Sequence, residues 1–204
     1  MTAKQTVFVV EDDPRMCAAI ELLLRTSGYA VRSYPDAETL LGDETCVRSN
    51  CLLADIRLPG MDGLALHRRL VATGTTPATV MITGHGDIPM AVSALKEGVV
   101  DFIEKPFHPP ALLESVKEAL RRAMAVHDHE MKIADLKVRL ETLTPREAEV
   151  LDLLVDGQPS KVIASQLGMS VRTAEHHRAR IMEKLGAPST MRLISMMSAK
   201  LEAI

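Results

Sequence analysis

Aromatic residues are almost absent from this sequence of 204 residues, which has no tryptophan and an aromatic share of 2%. Cysteine is equally scarce: Cys17, Cys46 and Cys51 are odd in number, and no two of them have the Cys-x-x-Cys spacing. This argues against a disulfide framework and against a thiolate zinc site. Hydrophobic runs fall short of the roughly 20 residues that a membrane span needs, and the first residues, MTAKQTVFVV, show no signal-peptide pattern. We therefore expect a cytoplasmic protein that does not enter a membrane.

The overall composition is that of a globular protein, with 47% apolar and 25% charged residues. The length fits one domain of roughly 120 residues followed by a smaller one. Charge is divided unevenly: residues 1–120 carry 11 Lys and Arg against 16 Asp and Glu, whereas residues 142–204 carry 8 against 7. The acidic first part is a poor ligand for nucleic acid. DNA binding by the weakly basic second part depends on where its cations lie and on dimerisation.

Short apolar runs alternate with amphipathic helical patterns between residue 6 and about residue 125. The predicted strands are 6–10, 30–33, 51–54, 78–82 and 101–103, and the predicted helices are 14–27, 36–42, 64–72 and 88–97. A fifth helix is predicted to begin near Pro109, and its apolar positions with a 3,4 spacing are Leu113, Val116, Leu120, Met124 and His127. This alternation predicts βα units around a parallel sheet.

The segment 121–141 is predicted to be a helical connector. Its second apolar run, Leu136, Leu140 and Leu143, is out of step with the first, which indicates a phase slip near 127–131 rather than a flexible Gly/Ser linker. Beyond it the pattern is helical only: a capping box, Thr144-Pro-Arg-Glu147, opens one helix, and helices over 161–167 and 170–185 follow. A turn with Gly168 joins the last two, which makes them a helix-turn-helix candidate.

The polar residues of the first half stand directly after predicted strands. Glu11 and Asp12 follow the first strand, Asp55 the third, Thr83 the fourth and Lys105 the fifth. The carboxyl ends of parallel strands meet at one edge of an open sheet, where ligands bind. This set suggests phosphoryl transfer to a carboxylate, with Asp55 as nucleophile and the hard oxygen ligands of Glu11 and Asp12 on Mg²⁺. Lys105 and Thr83 would bind phosphoryl oxygens.

Each of these residues alone has an ordinary structural explanation. An acidic pair after a strand is commonly a helix N-cap, an aspartate before a Pro-Gly turn is turn chemistry, and a lysine before proline is a solvated side chain. By propensity alone, Phe102 is a core residue of an edge strand. The joint placement of the cluster is what favours phosphoryl chemistry.

Four stretches resemble the response-regulator receiver family in their order and spacing: VVEDD at 9–13, DIRLPGMDG at 55–63, ITGHGD at 82–87 and DFIEKPF at 101–107. The resemblance covers residues 5–122. It implies a flavodoxin-like, doubly wound α/β fold with a five-stranded parallel sheet in the order 2-1-3-4-5, and a small all-α helix-turn-helix domain follows it.

The same resemblance assigns roles to individual residues. It implies that Asp55 is the phosphoacceptor, that the Lys105–Pro106 peptide bond is cis, and that Phe102 is a switching aromatic ring. It further implies an Mg²⁺ site formed by Glu11, Asp12, Asp55 and the backbone carbonyl of Arg57. Glu11 stands where many members have aspartate, and its longer arm still reaches a metal through water.

The predicted helix 170–185 has two faces. Ala174, Ile181 and Leu185, with part of His177, form a stripe that should pack inward. The positions available to a DNA major groove are Arg172, Glu175, His176 and Ala179. Phosphate contacts are expected from the helix N-terminus at Ser170–Thr173 and from Lys161, Arg180 and Lys184. The alternative is an ordinary solvated face, because Glu175 and Glu183 dilute the positive potential.

Within this helix, Glu175 suits a cytosine amino group, and His176 and Ala179 suit base edges or a thymine methyl group. The stretch from Leu143 to Gly186 resembles the LuxR/FixJ-type DNA-binding domain, which implies a final dimerising helix over 190–200. Pro159 and Ser160 depart from the usual Ser-Asn, so the usual cap of the short helix and one usual phosphate contact are not expected here.

Taken together, the two resemblances imply a transcriptional response regulator with the domains 1–122 (receiver), 123–141 (helical linker) and 142–204 (DNA binding). Phosphorylation of Asp55 by a sensor histidine kinase is expected to promote homodimerisation and binding to an inverted-repeat operator. RNA polymerase is a further expected partner, and activation is the expected effect on transcription.

Two other classes of protein share part of this pattern. A phospho-aspartyl hydrolase of the haloacid-dehalogenase kind also uses aspartate and Mg²⁺, but it needs a second acid two residues after the nucleophile, where this chain has Arg57. A ligand-binding quorum sensor shares the DNA-binding domain but needs an apolar pocket commonly lined by aromatic residues, which are scarce here. We therefore expect a regulator and not an enzyme.

Overall fold

The computed structural model describes residues 5–43, 50–75, 77–84 and 94–201. The chain divides into two compact units, Met1–Asp128 and His129–Ile204. None of the helices in the described ranges combines the length and the apolar character that crossing a bilayer requires.

A five-stranded parallel sheet forms the centre of the first unit. Its strands are β1 (Thr6–Val10), β2 (Ala30–Tyr34), β3 (Cys51–Asp55), β4 (Ala78–Thr83) and β5 (Asp101–Glu104). Neighbouring strands pair in the order β2-β1-β3-β4-β5, which confirms the expected fold. Four of the strands extend one residue beyond their predicted carboxyl ends, because pairing with a neighbouring strand continues past the apolar run. For example, Asp55 of β3 pairs with Ile82 of β4, and Thr83 of β4 pairs with Glu104 of β5.

The helices of the first unit begin where short acidic side chains cap them. They are α1 (Pro14–Thr26), α2 (Ala37–Leu41), α3 (Gly63–Ala72) and α4 (Pro109–Glu141). Asp13, Asp36 and Asp62 accept the backbone N–H of Arg15, Thr39 and Ala65, respectively. Except for its last turn, the predicted helix 88–97 lies outside the described residues. Cys46 also lies outside them.

Two hydrophobic layers cover the sheet. On one face, Val7 and Val9 pack with Ile20 of α1 and with Val116 and Leu120 of α4. On the other face, residues of the same strand and its neighbours pack against α2 and α3, namely Phe8, Val10, Leu40, Leu66, Leu70 and Met81. Alternation along β1 therefore buries both faces of the sheet, which leaves the strand ends as the accessible edge.

Helix α4 is continuous through the predicted connector, but its buried face differs from the predicted stripe. The buried positions are Leu112, Val116, Ala119, Leu120 and Ala123. Leu113 is half-buried and packs against this core, whereas Met124 and His127 are exposed, so the predicted stripe is wrong at its last two positions. The reason is that no residue from 124 to 129 is buried, since the helix leaves the core of the first unit there. Buried positions resume at Leu136, beyond the predicted phase slip.

The second unit is all helical. After the last part of α4 come α5 (Pro145–Val155), α6 (Ser160–Gln166), α7 (Val171–Leu185) and α8 (Thr190–Leu201). Thr144 and Glu147 form the predicted capping box of α5, and Ser170 caps α7. Pro159 precedes α6 without a side-chain cap, as its departure from the usual residue indicated. The core of this unit joins Leu136 of α4 to α5, α6, α7 and α8 through Val150, Ile163, Ile181 and Leu193.

Candidate functional site

Three carboxylates meet at the carboxyl ends of β1 and β3. Oxygen atoms of Glu11, Asp12 and Asp55 all lie within 4.8 Å of one another. Glu11 and Asp55 are buried, with 2% and 6% of their surfaces exposed, whereas Asp12 is exposed. Two buried acids and one solvated acid therefore converge on one point, as the sheet topology predicts.

Lys105 balances part of this negative charge. Its Nζ donates to Asp55 Oδ2 at 2.6 Å and to Glu11 Oε2 at 2.8 Å. Burial raises the pKa of Glu11, and the hydrogen bond and the charge of Lys105 oppose that rise. Burial alone lowers the pKa of Lys105, but the hydrogen bonds and charges of Asp55 and Glu11 together raise it above its ordinary value. The ammonium therefore stays charged at neutral pH and holds the Asp55 carboxylate in place.

The backbone fixes Lys105 and Thr83 beside each other. Lys105 N donates to Thr83 O at 2.8 Å, and the Lys105–Pro106 bond is cis, as the receiver resemblance implies. The Thr83 hydroxyl is nearly buried at the end of β4 and donates to Gly84 O at 3.1 Å. Phe102 is half-buried against the core layer on the α3 side of the sheet. The structure thus brings together Glu11, Asp12, Asp55, Thr83 and Lys105.

The loop after β3 holds Asp55 through its backbone. Arg57 N donates to Asp55 Oδ1 at 3.0 Å, and Gly63 N donates to Ile56 O at 3.0 Å. A Cβ atom added to Gly63 would lie 2.1 Å from the backbone oxygen of Asp55, so only glycine allows α3 to begin here. Sequence reasoning missed Gly63, although its place at the start of a predicted helix was a usable signal.

The donor set of this cluster suits a hard divalent cation. Glu11, Asp12 and Asp55 offer carboxylate oxygens only, and one ammonium, that of Lys105, compensates for one of three negative charges. All-oxygen ligation with surplus negative charge is compatible with Mg²⁺.

The predicted DNA-binding face of α7 is exposed. Arg172, Thr173, Glu175, His176, Ala179 and Arg180 are all open to solvent, whereas Ala174, Ile181 and Leu185 are buried. Lys161 on α6 is exposed as well. His177 lies between the two faces, and its Nδ1 is buried without a hydrogen-bond partner among the described residues. The division into an inward stripe and an outward face therefore follows the predicted spacing.

Lys184 lies in a different setting from the one expected for a phosphate contact. Its Nζ donates to Glu147 Oε2 at 2.6 Å and to Thr142 O at 2.9 Å. Glu147 is 2% exposed, and its hydrogen bonds with Lys184 and Thr144 lower its pKa to about 2. Two of the three ammonium donors thus serve the fold of the second unit, which is a role that sequence spacing across 37 residues did not reveal.

Two segments of the chain each match a known family model: the response regulator receiver domain over residues 7–117, and the LuxR family of bacterial regulatory proteins over residues 141–197. The transcriptional regulatory protein FixJ of Rhizobium meliloti is 39% identical over 191 residues, which are 94% of each chain. Nodulation protein W of Bradyrhizobium diazoefficiens is 38% identical, over 96% of this chain and 86% of that one.

Solved structures agree with these matches. The response regulator StyR superposes with a TM-score of 0.83 and 37% identity, over 96% of this chain and 99% of that chain. Full-length FixJ from B. japonicum gives a TM-score of 0.60 and 35% identity, over 98% of this chain and 99% of that one. A receiver joined to a LuxR-type domain implies DNA and a sensor kinase as partners. The chain therefore belongs to the FixJ-type two-component response regulators, which are transcriptional regulators and not enzymes.

Proposed function

We propose that Asp55 is the phosphoacceptor through which a sensor histidine kinase controls the binding of this regulator to an inverted-repeat operator. The observation that carries the proposal is the position of the Lys105 ammonium, 2.6 Å from Asp55 and 2.8 Å from Glu11. A buried carboxylate held by one cation and flanked by two further acids is arranged to accept a phosphoryl group and to share its charge with a metal.

In the transfer, an oxygen of the Asp55 carboxylate attacks phosphorus, and the new P–O bond forms as the bond from phosphorus to the donor's leaving group breaks. Glu11, Asp12, Asp55 and the backbone carbonyl of Arg57 are the proposed ligands of Mg²⁺, which when bound neutralises charge on the phosphoryl oxygens. Lys105 exchanges its bond with the carboxylate for one with a phosphoryl oxygen. The Thr83 hydroxyl leaves Gly84 O and donates to another phosphoryl oxygen.

The response begins at the ends of β4 and β5, because Thr83 and Lys105 lie there and are both drawn toward the phosphoryl group. Phe102 turns inward into the space that Thr83 vacates. The altered face pairs two receivers, and the functional division of the chain is 1–122 (receiver), 123–141 (linker) and 142–204 (DNA binding). Pairing raises the effective concentration of one DNA-binding domain for the second half-site.

On the DNA, the exposed face of α7 supplies the base contacts, through Glu175, His176 and Ala179. Arg172 lies on the same groove-facing side. Lys161, Thr173 and Arg180 contact the phosphates together with the N-terminus of α7, and His177 lies beside them. Lys184 contributes to phosphate binding only through the one donor that Glu147 and Thr142 leave. The setting is the cytoplasm, with RNA polymerase as the further partner and activation as the outcome.

Sedimentation velocity with and without acetyl phosphate and Mg²⁺ tests this control. We expect a mainly monomeric protein before phosphorylation and a dimer that binds an inverted repeat afterwards, because neither weakly basic DNA-binding domain alone makes enough phosphate contacts for stable binding. A protein that is fully dimeric without phosphorylation and binds its operator equally well would show that control lies elsewhere.

Two substitutions separate phosphate contacts from base contacts. Lys161→Ala should weaken binding to every DNA sequence alike and lower the slope of log affinity against log salt by about 1. Glu175→Ala should instead relax preference at one base position, by about 1–3 kcal/mol, with little effect elsewhere. Fluorescence anisotropy on a set of single-base operator variants, at several salt concentrations, measures both quantities.

Lys117→Ala is the matched control for that experiment, since it removes one exposed lysine from the first unit and should leave DNA binding unchanged. Lys184→Ala is unsuitable as a phosphate test, because it also strands the buried carboxylate of Glu147. Identical behaviour of Lys161→Ala and Glu175→Ala across all sequences would show that the roles are assigned wrongly.

A further inference from the structure

A fully buried histidine ties three elements of the first unit together at the end of the sheet away from Asp55. His67 of α3 has no exposed surface. Its Nδ1 lies 2.9 Å from Thr79 Oγ1 of β4, and its Nε2 lies 3.1 Å from the backbone oxygen of Glu97. A polar ring in this position displaces apolar packing, so its hydrogen bonds must stabilise a particular arrangement of the three elements.

The donors and acceptors around the ring settle its tautomer. The Glu97 carbonyl only accepts, so Nε2 carries a proton. The Thr79 hydroxyl has one proton, and its two possible acceptors are His67 Nδ1 and Pro77 O at 3.1 Å. Donation to Nδ1 satisfies both ring nitrogens, whereas donation to Pro77 O would leave the buried Nδ1 facing the Thr79 oxygen with no proton between them. The ring is therefore the Nε2–H tautomer, donating to Glu97 and accepting from Thr79.

Arg68, the next residue of α3, binds Glu97 from the solvent side. Arg68 Nε and Nη2 donate to the two carboxylate oxygens of Glu97 at 2.6 Å and 2.7 Å. His67 therefore binds the backbone of Glu97, and Arg68 binds its side chain. Thr79 O also accepts from Val100 N at 2.8 Å, which ties the start of β4 to the segment that enters β5.

We propose that His67 and Arg68 are positioning residues that fix the entry of β5 so that phosphorylation moves only its far end. We call His67, Arg68 and their partners Thr79 and Glu97 the clamp. Thr79 and Thr83 lie four residues apart on β4, or roughly 13 Å, so the clamp and the phosphoryl-binding groups occupy opposite ends of β4 and β5. With one end held, the pull on Thr83 and Lys105 is converted into a displacement of the strand ends. Without the clamp, the segment that enters β5 shifts even when Asp55 is not phosphorylated. The unphosphorylated and phosphorylated proteins then become alike in conformation.

This inference rests on the proposed function, and the test uses the full chain. The measured quantity is the ratio of operator affinities with and without acetyl phosphate. His67→Leu, which keeps the volume and removes both hydrogen bonds, should lower that ratio at least about threefold while the extent of labelling stays near that of the unchanged protein. His67→Gln, whose amide offers both a donor group and an acceptor group, should restore the ratio.

A spectroscopic readout accompanies the binding data. Two-bond ¹H–¹⁵N spectra of histidine-labelled protein should show one ring of the Nε2–H type that is absent from His67→Gln and unchanged by phosphorylation. A purely structural role would leave the affinity ratio unaltered in every variant that folds. Should His67→Leu fail to fold, Arg68→Ala decides the matter: Arg68 is exposed, its loss opens no cavity, and an unchanged ratio in that variant would overturn the clamp.

The outcomes also separate this inference from the proposed function. If phosphorylation does not change operator binding by the unchanged protein, the proposed function fails. If phosphorylation enhances binding equally in the unchanged protein and in the His67 and Arg68 variants, only the clamp is wrong.

Discussion

Replacing Asp55 by asparagine is expected to abolish labelling of the protein by acetyl phosphate. Asp55 lies at the end of β3 within hydrogen-bond distance of Lys105, and its oxygen lies within 4.8 Å of oxygens of both Glu11 and Asp12. Asparagine has nearly the same shape and keeps an oxygen for the amide of Arg57, but it lacks the negative charge that makes a carboxylate oxygen nucleophilic. The variant should therefore fold and bind Lys105 weakly, while phosphoryl transfer is lost altogether.

Asp62→Asn is the matched control for that substitution. Asp62 lies on the same loop but caps α3, accepting from Ala65 N at 2.6 Å, and asparagine caps helices about as well as aspartate. Its labelling should be unchanged. Persistent labelling of Asp55→Asn, measured by intact-protein mass spectrometry, would remove the centre of the proposed mechanism, and a loss of labelling in both variants would place the cause in the loop.

Gly63→Ala should be the most damaging small substitution in the first unit. Alanine normally stabilises a helix relative to glycine by about 1 kcal/mol. At this position its Cβ would lie 2.1 Å from the oxygen and 3.0 Å from the carbon of the Asp55 carbonyl, so α3 or the phosphoacceptor strand must move. We expect a loss of about 3 kcal/mol in the free energy of unfolding and labelling that is at least about tenfold slower.

Gly42→Ala provides the comparison, because Gly42 has an ordinary φ of -78° and the nearest atom to an added Cβ is 3.5 Å away. This variant should be as stable as the unchanged protein or slightly more so. Tyrosine fluorescence in urea isolates the relevant unit, since both tyrosines, Tyr29 and Tyr34, lie in the first unit and the chain has no tryptophan. Equal stability of the two alanine variants would show that the backbone yields at Gly63 without cost.

The loss of stability and of labelling expected for Gly63→Ala follows from the dependence of the site on the packing of α3 against β3. Asp55, Thr83 and Lys105 stand at strand ends, and their placement requires that α3 begin close against β3. The requirement is steric, so it appears in the sequence only as a glycine after an N-cap aspartate. Residue types alone predict the chemistry of the cluster. The short distance between α3 and β3, on which the positions of these side chains depend, is a property of the folded backbone.

The order of apolar runs and turn residues specified most of this architecture. Each predicted strand was found within one residue of its end, because alternation of apolar segments with amphipathic helices is a local property of the chain. The same holds for the capping box at Thr144 and for the faces of α7. The cluster of Glu11, Asp12, Asp55, Thr83 and Lys105 also follows from the sequence, since parallel strands deliver their carboxyl ends to one edge.

Three features were settled by contacts between residues distant in the sequence. Within the first unit the last buried residue of α4 is Ala123, whereas periodicity alone extended the apolar stripe to His127. Lys184 pairs with Glu147 of α5, a partner 37 residues away, instead of standing free on the DNA-binding surface. His67 reads as one more residue of an amphipathic helix until folding brings Thr79 and Glu97 to its two nitrogens. Local patterns fix the elements and their faces, whereas the partner of a polar group depends on which elements the fold sets side by side.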